Sequence, residues 1–129
     1  MTPDHLIAAA WLWFCLGILS GAGLGLIFHK DRGWGGYASW PRRLARLGHI
    51  SFFGTGALLL AMALTPWPAA WVATVCAPAM LLGALTMPLA CGLAAWKKPF
   101  RHLFPVPVLG LAVGVLGFTW AQVAAALSL

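Results

Sequence analysis

Long uncharged stretches alternate along this chain with short breaks rich in proline or basic residues. Leu6 to Phe28 carries no charge and, at about 1.5 Å per helical residue, is long enough to cross a hydrocarbon core of about 30 Å. A polar segment from His29 to about Trp40 follows. Pro41 suits the first turn of a helix capped by Ser39 or Trp40. From there the chain reads as one helix whose opening turns carry Arg42, Arg43 and Arg46 before it turns apolar. Two prolines, Pro66 and Pro68, end it. A third apolar run extends over 70–96, the turn Lys97–His102 is basic again, and a fourth run covers 103–128. None of these runs alternates as a membrane strand would.

The expected fold is therefore all-α. It is an integral membrane four-helix bundle in a single domain spanning 1–129, with spans near 6–28, 45–65, 70–96 and 103–128. Short turns make spans two and three, and three and four, antiparallel neighbours. The amino end, Met1-Thr-Pro-Asp-His5, lacks the basic region of a secretory signal, and the run after it is too long for one, so the first span is read as permanent.

Composition agrees with this pattern. Of 129 residues, 62% are hydrophobic and 8% charged, against about 25% charged in a soluble domain. All eight Lys and Arg residues fall in the two connectors or the helix start beside them: Lys30, Arg32, Arg42, Arg43 and Arg46, then Lys97, Lys98 and Arg101. Loops bearing Lys and Arg stay in the cytoplasm. Connectors 29–44 and 97–102 are then cytoplasmic, both chain ends face outward (N-out, C-out), and a bacterial inner membrane is the expected location. The net charge of +6 is thus a topology signal and no pointer to nucleic acid. Trp34, Tyr37, Trp40 and Trp96 mark the cytoplasmic boundary, with Trp67, Trp71 and Trp120 towards the other.

Three groups of residues are candidates for more than spanning. Gly17, Gly21 and Gly25 recur every four residues in span one, and Gly110 with Gly114 repeats that spacing in span four. Such spacing lets helix backbones approach closely, within the bundle or against another subunit. His29, His49 and His102 lie near the cytoplasmic boundary, and Arg42, Arg46, His49 and Phe53 share one helical stripe. Paired imidazoles could ligate a b-type haem, with Arg42 and Arg46 on its propionates or on anionic lipid headgroups, or three imidazoles could hold a metal. Cys76, Met80, Met87 and Cys91 share one face of span three and have the softness that suits Cu(I), although they also serve as apolar filler.

What is missing narrows the function. The middle of every span lacks Asp, Glu, Lys and Arg, and the only acids are Asp4 and Asp31. Ion and proton paths normally need such groups. There is no carboxylate pair, HExxH, Ser–His–acid set or phosphate-binding loop. The leading expectation is a non-catalytic subunit of a larger membrane assembly, respiratory or otherwise redox-active, without a cofactor of its own. It would meet other membrane subunits and anionic lipid. A haem or metal electron carrier is the alternative, and an oligomeric small transporter the third reading.

Overall fold

The computed structural model describes residues 1–30 and 32–128, which contain helices and turns but no strand. Four helical segments are long and apolar enough to cross a membrane. Helix α1 runs over Pro3–Phe28, α2 over Trp40–Leu64, α3 over Ala77–Trp96 and α4 over Pro105–Leu127. A π-helical turn, Val72–Cys76, leads directly into α3. Tighter 3-10 turns at Gly33–Gly35 and Lys98–Leu103 lie in the basic connectors. The second of them takes in Leu103, so α4 starts two residues later than the apolar run suggests.

Each helix start has a local cause. The Thr2 N–H donates to His5 Nδ1 at 3.3 Å, as in a capping box, which gives His5 a structural role. Ser39 caps α2: its hydroxyl accepts from the Arg42 N–H at 3.4 Å and donates to the Trp34 carbonyl at 2.6 Å. Trp34, with φ at 54°, and Gly35 and Gly36, at 83° and 88°, turn the chain towards that cap. Pro3, Pro41 and Pro105 occupy first turns, where a missing N–H leaves no bond broken.

Prolines elsewhere free carbonyls that other groups take up. Pro88, inside α3, offers no N–H to the Ala84 carbonyl one turn before it. The buried Trp13 indole on α1 donates to that oxygen at 3.2 Å. Where α2 ends ahead of Pro66, the Met62 carbonyl has no helical N–H to accept from, and Trp67 Nε1 donates to it at 2.9 Å. In the π turn the Ala77 N–H reaches back to Val72, so Pro78 leaves the Ala73 carbonyl open, and the Met1 amino group donates to it at 3.2 Å. Trp40 Nε1 satisfies the Ala94 carbonyl near the end of α3 at 2.9 Å. Inside a bilayer no water would do this, so the pairing must come from the protein.

Consecutive helices pack antiparallel, while α1 touches α3 only lightly and shares no extensive interface with α4. The four helices form an open layer with α1 and α4 at its edges. Its far end is tied by Gln122 Nε2, which donates to the Pro66 carbonyl at 2.7 Å. The α1–α2 seam pairs large groups with small ones: Phe14 against Gly56, Phe53 against Gly17, His49 against Gly21. Further on, the Arg42 guanidinium lies over the Phe28 ring. Steps of three, four and seven residues up α1 are answered by equal steps down α2, the spacing of left-handed helix pairs. At the α3–α4 seam the backbones themselves meet. A Cβ on Gly110 would stand 2.9 Å from the Ala79 oxygen and the Gly83 nitrogen. The buried core, including Leu6, Leu59, Met62, Val72, Met80 and Ala121, fills the half of the layer away from the basic connectors.

Candidate functional site

The half nearer the basic connectors is packed differently, and His49 lies within it. This residue lies about 13 Å along the α2 axis from Trp40. Its ring rests on Gly21, where a Cβ would stand 2.7 Å from Cε1, and meets the edge of Phe53 with centroids 5.4 Å apart. Nδ1 lies 3.0 Å from Ser20 Oγ. The Ser20 hydroxyl also donates to the Gly17 carbonyl at 2.9 Å. A serine hydroxyl has a single proton. With the hydroxyl donating to Gly17, Oγ is the acceptor for His49, the arrangement in which Nδ1 carries the hydrogen and Nε2 a lone pair; turned to Nδ1 instead, it would leave the hydrogen on Nε2. Nε2 has no hydrogen-bond partner among the described residues, nor is it sealed inside protein.

Between His49 and the Arg42 layer, small residues face one another from three helices. Gly23 of α1, Ala45 and Gly48 of α2 and Gly92 of α3 leave a cleft of about 240 Å3, closed by Leu24, Ile27, Phe52 and Pro88. Through Ala45 and Gly92 it adjoins a groove of about 400 Å3 walled by Trp34, Pro41, Ala95 and Trp96. No charged side chain among the described residues lines either space. The space can hold a neutral, largely apolar molecule beside the His49 ring and the Ser20 hydroxyl.

The arginines of the His49 stripe have other work. Arg42 is 6% exposed, donates to the Phe28 carbonyl at 2.9 Å and lies 4.3 Å over the Phe28 ring, whose other contact is Trp34 at 5.6 Å. Arg46 donates to the Tyr37 carbonyl at 3.0 Å and stacks over the Tyr37 ring at 4.1 Å. Both fasten the connector to α2, by hydrogen bonds and by cation–π contact. The exposed cations at this end are Lys30, Arg32, Arg43, Lys97, Lys98 and Arg101.

The other candidates are dispersed. His29 is the exposed C-cap of α1, about 12 Å further along that helix than Gly21, on which the His49 ring rests. His102 is exposed in the turn between α3 and α4. Among the described residues no three His, Cys, Asp or Glu side chains gather as metal ligands. The soft stripe is divided between partners: Cys76 lies against Gly117 and Met80 against Gly114 on α4, whereas Cys91 lies against Gly48 on α2. Cys76 and Cys91 stand about 22 Å apart along the helix, too far to share one ion. Met87 is half-buried between them. Of the glycines, Gly17, Gly21, Gly110 and Gly114 are close-approach positions, while Gly25 meets nothing within 4 Å.

The residues the sequence did not single out are Ser20, Gly23, Gly48, Gly92 and Trp13. Ser20–Gly21 and Gly48–His49 are adjacent pairs in the sequence, and that adjacency was the available signal. No protein-family model, curated protein or solved structure matches this chain.

Proposed function

We propose that this chain is a small, non-catalytic integral membrane subunit of a larger membrane assembly, acting in its assembly or stabilisation. In this reading it lies in a bacterial inner membrane with the basic connectors in the cytoplasm, where Lys and Arg are retained. The outer ends of α1 and α4 then face away from the cytoplasm. The exposed cations of the connectors meet anionic lipid or an acidic partner there.

The observation that carries the reading is the open layer. α1 and α4 meet protein on one side only and leave broad apolar faces bare: Leu19 is 62% exposed, Leu26 83%, Leu116 68% and Trp120 69%. Lipid can cover such faces, but edge helices also leave room for further helices to continue the layer. The absence of Asp, Glu, Lys and Arg from the middle of the spans adds support, since a transporter acting alone normally needs such groups.

Extraction of the chain from its native membrane in two mild detergents is the test. The same larger proteins should accompany it in the same molar ratio in both. Recovery only as a free monomer, with no companion common to the two, contradicts the proposal.

A further inference from the structure

The cleft beside His49 is filled by nothing in the fold, and its chemistry specifies an occupant. We propose that it binds a membrane-soluble quinol, whose phenolic O–H donates to His49 Nε2 while the apolar tail follows the adjoining groove.

Four features point to this class. The first is the tautomer we infer from Ser20: with its hydroxyl given to Gly17, Nδ1–H donates to Oγ and Nε2 is an acceptor, so the matching group on a ligand is a donor. The second is the absence of charge. Arg42 and Arg46 are turned to Phe28 and Tyr37, and no cation or anion among the described residues lines the space, so a charged headgroup would be desolvated without a counter-ion. The third is the unmet acceptor itself. An acyl chain would fill the volume but leave Nε2 without a hydrogen bond in an apolar setting, at a cost that a hydroxyl-bearing ring avoids. The fourth is the space: Gly23 and Gly92 have nothing within 4 Å of where a Cβ would stand. Gly25 and Gly54 are open too, but they line neither cavity. About 240 Å3 for a ring is small for a ligand site by itself, but with the adjoining space of about 400 Å3 for the start of a tail it reaches the range of small-molecule sites. Binding alone is proposed, with no electron or proton transfer.

The test uses the full chain purified in mild detergent under anaerobic conditions, with a decyl-substituted benzoquinol as probe. Quenching of tryptophan fluorescence is the readout, since Trp34 and Trp96 wall the groove. Its dimethyl ether, which keeps ring and tail but has no O–H, is the comparison. The quinol should bind saturably and at least tenfold tighter than the ether. His49→Phe, which keeps a ring on Gly21 but removes the acceptor, should reduce quinol affinity at least tenfold and erase the preference over the ether. Gly92→Leu should weaken both ligands by blocking the space, while Gly25→Leu leaves binding unchanged. Equal affinity for quinol and ether would reduce the cleft to an acyl-chain groove and overturn the proposal, as would no saturable binding. A second measurement does not depend on the variants folding: 15N shifts of His49 should report the Nδ1–H tautomer, and the Nε2–H tautomer would overturn the assignment.

Discussion

Gly110→Leu should destabilise the protein by about 2–3 kcal/mol, at the upper end of what an overpacked site usually costs. The reason is what stands opposite. At several glycines of this chain that make a close contact, the nearest atoms belong to a side chain that can rotate: Phe53 at Gly17, Phe14 at Gly56, the Cys76 sulfur at Gly117. At Gly110 they are the Ala79 oxygen and the Gly83 nitrogen and Cα, all backbone. A side chain there can be housed only by moving α3 and α4 apart along their whole seam. Better helix propensity of leucine returns at most about 1 kcal/mol. Gly25→Leu, at the same four-residue spacing but facing open space, should be neutral or slightly stabilising. Reversible unfolding of both variants in mixed micelles reads the difference. Equal tolerance of the two would mean that α3 and α4 do not approach as described.

Trp13→Phe should produce the next largest loss, and its dependence on Pro88 is diagnostic. Trp13 is 6% exposed, and its indole supplies the hydrogen that Pro88 denies to the Ala84 carbonyl. Phenylalanine leaves that oxygen unpaired and also leaves a small void. In a Pro88→Ala background the backbone N–H of residue 88 returns to Ala84, so the indole is no longer needed. The void is common to both backgrounds and cancels in a double-mutant cycle. The remaining coupling should be between about 0.6 and 1.7 kcal/mol, the mean and the maximum for hydrogen bonds between membrane helices. Additive effects would show that the bond contributes nothing.

Both arguments rest on features that the sequence carried only in part. Hydropathy and the prolines located the helices to within a few residues, because each spanning run is uniformly apolar and Pro41, Pro66 and Pro68 act locally. Grouping of the basic residues placed them at one end of the layer. Two stripes were also legible, Gly17–Gly21 on the first helix and Arg42–His49–Phe53 on the second, and they meet in register. Partner choice was not legible. Gly25 and Gly110 look alike in the sequence, yet one faces open space and the other a helix backbone. Arg42 and Arg46 read as a basic stripe beside His49, but their contacts with Phe28 and Tyr37, across a connector whose turns depend on Trp34, Gly35 and Gly36, were not legible. The soft stripe of Cys76, Met80 and Cys91 is continuous on a wheel and divided in space. The Trp13–Ala84 bond could not be found without knowing that Trp13 on α1 reaches past α2 to the turn of α3 that precedes Pro88. The cleft is invisible to any single helix, because it is a shortage of side-chain volume shared by three.

Everything proposed for this chain requires that the layer lie in a bilayer with its two basic connectors on the cytoplasmic side. Single cysteines at Lys98 in the second connector and at Thr65 in the opposite turn, introduced after replacing Cys15, Cys76 and Cys91, test this directly. Intact cells are treated with a membrane-impermeant maleimide, then broken and labelled again. The Thr65→Cys protein should react before lysis and the Lys98→Cys protein only after it. Labelling of Lys98→Cys in intact cells, or equal labelling of both, would contradict the account.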